Sequence, residues 1–193
     1  TVGAGGLVIG ATMTKSEAAF GAIPRAPGQP SPVTTEPKRR HNSRATLVRQ
    51  RAAPTLWVGF TGPNAKDDDF ASVSILQQIL TGGASSRLQR RLVRDEQLAT
   101  TIFVRHSASV HPELLSFEIG LSLGQAPDDV EDALFEELGK IANDGVSAEE
   151  LAAAKAAERA DLIRSMTTLG SAAAGLGQFE VLFGDCNALF RLG

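Results

Sequence analysis

From Phe117 to Leu123 apolar side chains alternate with small or polar ones: Phe117, Ile119, Leu121 and Leu123 fall on one side, Glu118, Gly120 and Ser122 on the other. A strand repeats every two residues, so such a segment buries one face and wets the other. A half-wet sheet of this kind is antiparallel and needs apolar cover on its dry face. Upstream, Leu98–Val110 is rich in β-branched residues and reads as a long strand, with His111-Pro112-Glu113 as the turn. Leu98–Leu123 is therefore expected to be a hairpin.

The cover is written in helical spacing. Phe70, Val73, Leu76 and Leu80 form one stripe, preceded by Asp67, Asp68 and Asp69 and stopped by Gly82-Gly83. Carboxylates suit a helix N-terminus, whose amides carry partial positive charge. Adjacent residues on a helix point in different directions, so these aspartates are read as a helix start and not as a metal cluster. A second helix is expected after Ser85 or Ser86 as cap, with Leu88 and Leu92 inward and Arg87, Arg90, Arg91 and Arg94 elsewhere. Val130, Leu134, Leu138 and Ile141 make another stripe, ended by Asn143-Asp144-Gly145. Ser147-Ala148-Glu149-Glu150 is a capping box that opens an alanine-rich helix through Leu169, with Gly170, Gly175 and Gly177 expected to interrupt or end it.

The front of the chain has another character. Gly6-Leu7-Val8-Ile9-Gly10 reads as a short buried strand, Thr14-x-x-Glu17 as a capping box, and Gly21-Ala22-Ile23-Pro24 as a stop. Pro24, Pro27, Pro30, Pro32 and Pro37 then alternate with Gly, Ser, Thr and Gln, a composition too poor in apolar surface to offset its ordering entropy. Strands are expected again at Ala45–Gln50 and Leu56–Thr61. In the second, Leu56, Val58 and Phe60 point one way and Trp57 and Gly59 the other. The organisation read from this is a tail of a preceding domain over 1–24, a proline-rich linker over 25–42, and an α+β domain over 43–193, an antiparallel sheet packed with helices. The last stretch, Phe179 to Gly193, has no evident finish, and the domain is expected to be truncated there, in a chain that reads as an excised piece.

Several chemistries are excluded. A net charge of −3 gives no electrostatic reason to bind nucleic acid, and the basic cluster Lys38-Arg39-Arg40-His41 falls in the linker. No apolar run approaches the ~20 residues of a membrane span. The three histidines, His41, His106 and His111, form neither H-E-x-x-H nor H-x-x-E-H. Cys186 is the single cysteine, read as a structural thiol. Neither a nucleophile elbow nor a phosphate loop is present, so catalytic and metal residues are expected to be absent.

One stretch carries a resemblance. Leu80-Thr81-Gly82-Gly83-Ala84-Ser85-Ser86-Arg87-Leu88, followed by Leu92-Val93-Arg94-Asp95-Glu96-Gln97-Leu98-Ala99, resembles the "LGGG-SSRL…LV-DEQLA" signature of pitrilysin/insulinase-like (inverzincin) zinc metallopeptidases. That signature lies in the family's second-type domains, mitochondrial-processing-peptidase-like, which hold no zinc. Phe20-Gly21-Ala22-Ile23-Pro24, Leu56–Pro63 and Gly145–Leu151 resemble further family segments in the family's order.

The resemblance implies a clamshell-type metallopeptidase fold. Zinc would be held by an H-x-x-E-H motif outside this sequence, in the full-length protein or in a partner subunit. It also implies as partners a catalytic domain or subunit of the same family, a peptide substrate and a possible dimer, and, by analogy with bacterial relatives, a periplasmic or envelope location. The substrate-binding arginine and tyrosine of the family do not carry over, since Val93 and Thr100 stand at those positions and the chain has no tyrosine. Gly82, Gly83, Ser85 and Arg87 remain as the candidate substrate contacts. Two functions follow: a non-catalytic wall of a peptide-binding chamber, or an inactive scaffold of the same fold that only binds proteins.

Overall fold

The computed structural model describes residues 9–24, 42–48 and 54–186. The chain divides into two compact units, Thr1–Leu47 and Val48–Gly193. In the first, helix α1 (Ile9–Phe20) ends in a turn at Gly21, whose amide donates to Glu17 O at 2.8 Å. The strand expected at Gly6–Gly10 is corrected where it can be seen: Ile9 and Gly10 belong to α1, and residues 6–8 lie outside the described set, as does the linker over 25–41. Thr14 sits inside the helix, so Thr14-x-x-Glu17 does not open it. A capping residue acts only where the backbone before it leaves the helix.

The second unit is built on three antiparallel strands, β1 (Thr55–Thr61), β2 (Ala99–Arg105) and β3 (Leu114–Leu121), in the order β1-β3-β2. The expected hairpin is β2–β3, with Val104 opposite Phe117 and Ile102 opposite Ile119. On its other side β3 pairs with β1, Val58 opposite Phe117 and Leu56 opposite Ile119. The expected strand at Ala45–Gln50 is absent over 45–48, where Leu47 and Val48 are exposed; residues 49 and 50 lie outside the described set. The long strand expected to Val110 stops at Arg105, because His106 leaves the sheet to bond Pro63 O at 2.9 Å and Ser109 O accepts from the Ala65 amide. β3 starts at Leu114, three residues before Phe117, since Leu114 pairs with Thr61. It ends at Leu121, which leaves Leu123 almost wholly exposed.

Helix α2 (Phe70–Thr81), a π-helical segment (Gln89–Asp95) and helix α3 (Pro127–Asp144) supply the helical side of one core. Leu80, Leu88, Leu92, Val130 and Leu134 meet Ile102, Phe117, Ile119 and Leu121 there. Phe117 is fully buried, worth roughly 2–3 kcal/mol of apolar transfer. Phe60 stacks edge-on against Phe117 and against Phe135 of α3, at 5.8 and 6.1 Å. The π-helical geometry shows in the Glu96 amide, which reaches five residues back to Arg91 O.

Helix α4 (Ala148–Ser165) opens with the expected capping box, Ser147 Oγ accepting from the Glu150 amide at 3.1 Å and Glu150 Oε2 accepting from the Ser147 amide. It lies on α2, where Gln78 Nε2 donates to Glu158 and to Asp161. The alanine-rich helix does not run on to Leu169. It stops at Ser165, and the hydroxyls of Ser165 and Thr167 donate to the carbonyls of Leu162 and Arg164. Thr168 then caps helix α5 (Leu169–Phe183) through the Ser171 amide. Gly170, Gly175 and Gly177 thus lie inside a helix and end none; its stop is Gly184, in the left-handed conformation.

Candidate functional site

The turn between α2 and the π-helical segment carries the four residues singled out from the sequence. Gly82, Gly83 and Ser85 are exposed. Gly83 has a φ of +150°, a backbone that side chains resist, and a Cβ there would meet open space. Ser86 takes the helix start through its carbonyl, which accepts from the Arg90 amide, while its hydroxyl turns back to donate to Gly83 O at 2.6 Å. The expected side-chain cap is therefore corrected to a turn-closing bond.

Arg87 pairs with side chains of α3 and α4. Its Nε and Nη2 donate to the two oxygens of Glu150, each at 2.8 Å, and Nη2 also approaches Gly145 O at 3.4 Å. Glu137, buried on α3, lies 3.6 Å from Arg87, 3.5 Å from Arg91 and 3.2 Å from Lys140. Arg91 is a second hub, donating to Glu96, Glu136 and Ala133 O. Hydrogen bonds from Arg87 and from the Ser147 amide hold the Glu150 carboxyl down to about 2. The Arg91 guanidinium likewise holds Glu136 low. Carboxylates kept ionised by arginine are poor proton donors. The cluster pins the turn, α3 and the start of α4 together.

No group of three or more histidine, cysteine, aspartate or glutamate side chains among the described residues is placed to hold a metal ion. His106 has its Nε2 at Pro63 O and its ring 5.4 Å from Phe70, while His111 is exposed. These residues do not fit a zinc site. Val93 packs against the core, and Thr100 Oγ1 donates to Gly120 O, so neither stands in for a substrate-binding arginine or tyrosine.

Away from the helices, the sheet presents a face on which every described residue is exposed or half-buried. Across its middle Trp57, Glu118 and Phe103 stand in register, one from each strand. Trp57 is 61% exposed and Phe103 48%. Arg105 lies 5.5 Å from the centre of the Phe103 ring and 3.6 Å from Glu118. The alternation of β1 already set Trp57 apart from Leu56 and Val58; the row itself depends on the β1–β3 register, which no local pattern encodes.

Comparisons with known proteins agree with this architecture. The family model described as "Peptidase M16 inactive domain" matches residues 2–158. The "uncharacterized zinc protease YmxG" of Bacillus subtilis (strain 168) is 24% identical over 149 residues, covering 77% of this chain and 36% of the relative. A protease from Helicobacter pylori superposes with a TM-score of 0.84 at 21% identity, covering 96% of this chain and 46% of that one. An inactive peptidase domain from Bordetella parapertussis superposes with a TM-score of 0.64 at 22% identity, covering 76% of this chain and 77% of that one. The chain thus spans about a third of the curated relative's length and under half of the Helicobacter protease. The signature at Leu80–Ala99, the half-covered sheet and the match over residues 2–158 converge: the chain belongs to the peptidase M16 inactive domain family.

Proposed function

We propose that this chain is a non-catalytic domain that walls part of a peptide-binding chamber, with proteolysis carried out by a zinc-bearing domain of the same family outside this sequence. The observation that carries the reading is the uncovered sheet face. Among the described residues, helices of the second unit bury one side of the sheet, and the other side keeps two large aromatic rings, Trp57 and Phe103, exposed. Exposed aromatics in a row are binding surface, since a soluble domain gains nothing from wetting them. Gly82, Gly83 and Ser85 add an outward turn that peptide backbone can approach closely. Arg87 would contribute its charge to a peptide in competition with Glu150.

The test is hydrolysis of an unstructured peptide by a zinc-bearing domain of the family, with and without this chain. The chain should raise kcat/KM, and the paired substitution Trp57→Ala and Phe103→Ala should remove about tenfold of that gain without lowering the melting temperature. A rate indifferent to both rejects the chamber wall and leaves the scaffold reading.

A further inference from the structure

We infer that the row Trp57–Glu118–Phe103 is a recognition site for a basic side chain of a bound peptide. The inference rests on the chamber-wall reading and names the substrate feature that the wall would select. Directly opposed residues of antiparallel strands stand side by side, with Cβ atoms about 5 Å apart. Glu118 is thus a carboxylate with an aromatic ring on either flank, on a face whose described residues are exposed or half-buried. Ring faces attract cations through their quadrupole, and a carboxylate between two rings adds the counter-charge.

The structure contains its own illustration. Arg105 lies over Phe103 and toward Glu118, the position a guest cation would take. Its hold is loose: the pair is separated by 3.6 Å and the Arg105 side chain is 63% exposed. A charged pair this open contributes little, so a guest guanidinium or ammonium can displace it. Once Arg105 is displaced, the Glu118 carboxylate pairs with a basic side chain and repels an acidic one.

Trp57 is the chain's single tryptophan and reports directly on the site. The experiment titrates the chain with acetyl-Ala-Ala-Arg-Ala-Ala-amide and with the same peptide carrying citrulline, the neutral isostere, following Trp57 emission. The arginine peptide should give a saturable change and bind about tenfold tighter than the citrulline peptide. Glu118→Gln should remove that preference. Arg105→Gln should strengthen arginine-peptide binding roughly threefold by vacating the site, and it carries the test alone if Glu118→Gln does not fold. Equal binding of the two peptides overturns the cation site and leaves the chamber wall standing, whereas binding of neither overturns both. A weaker response in Arg105→Gln also overturns the cation site. So does an emission change that tracks self-association in sedimentation, since the face then seats a second copy.

Discussion

Arg87 and Glu150, 63 residues apart in sequence, share two hydrogen bonds of 2.8 Å in a bidentate pair. The contact joins the glycine turn after α2 to the first turn of α4, with the buried carboxylate of Glu137 alongside. Arg87→Ala should lower unfolding free energy by about 1–2 kcal/mol. That is less than the roughly 3–5 kcal/mol of a fully buried pair, because the Glu150 side chain stays 35% exposed. Arg87→Lys should recover only part of the loss, since an ammonium cannot make the fork. Urea denaturation checks both.

Acid should weaken the same contact in a defined window. The Glu150 carboxyl falls from an ordinary 4.5 to about 2 in the folded chain. A depressed folded pKa gives stability that is complete above the unfolded value and disappears as pH drops through the folded one. The stability difference between the native chain and Glu150→Gln should be full at neutral pH and shrink between about 4.5 and 2. A difference independent of pH across that window would show that the pair is not formed in solution.

Neighbouring registers of the sheet should respond in opposite ways. Phe117→Ala empties the centre of the core and should cost about 3–5 kcal/mol. Trp57→Ala, one register away on the open face, should change stability by no more than about 0.5 kcal/mol. Thermal unfolding of the two variants decides whether the face is free. A large loss at Trp57 would mean that something packs on it.

Ser147→Ala removes the hydroxyl that accepts from the Glu150 amide and should cost about 1 kcal/mol. Ser147→Gly should cost only a few tenths, since glycine tolerates the cap backbone. Equal losses in the two would assign the effect to the Arg87–Glu150 pair and not to the cap.

Zinc should not bind stoichiometrically to this chain, and the chain alone should cleave no peptide. A hydrolytic zinc takes about three protein ligands and an open position for water, and no such group exists among the described residues. Metal analysis of chelator-washed protein, with a fluorogenic peptide assay, checks the point. One tight zinc per chain with metal-dependent cleavage would reverse the functional assignment.

Local pattern made much of this fold legible. The period-two run at Phe117, the stripe through Val130 and Leu134, and the Ser147–Glu150 box all act within a few residues, so sequence alone encodes them. What was hidden is non-local or set by competing terms. The β1–β3 register joins Thr61 to Leu114 and creates the Trp57–Glu118–Phe103 row, which neither strand announces alone. The partner of Arg87 is likewise not announced by its own turn, because Glu150 enters from a helix 63 residues away. In α5, each glycine disfavours helix by about 1 kcal/mol, yet capping by Thr168 and the intervening alanines and large apolar residues carry the helix past three of them. The break fell instead at Met166–Thr168, where hydroxyls compete for the last carbonyls.

The central position of β3 also sets an order of events during synthesis. β1 leaves the ribosome first, carrying Leu56, Val58 and Phe60, but the strand it pairs with is made last of the three. The β2–β3 hairpin closes across a short loop and can form at once, whereas joining Thr61 to Leu114 must close a far longer one. For that interval β1 is a nascent, unpaired and half-apolar strand, open to the wrong neighbour. The chain's vulnerable moment therefore comes before Leu121 emerges, and slowed translation between β1 and β3 would lengthen it.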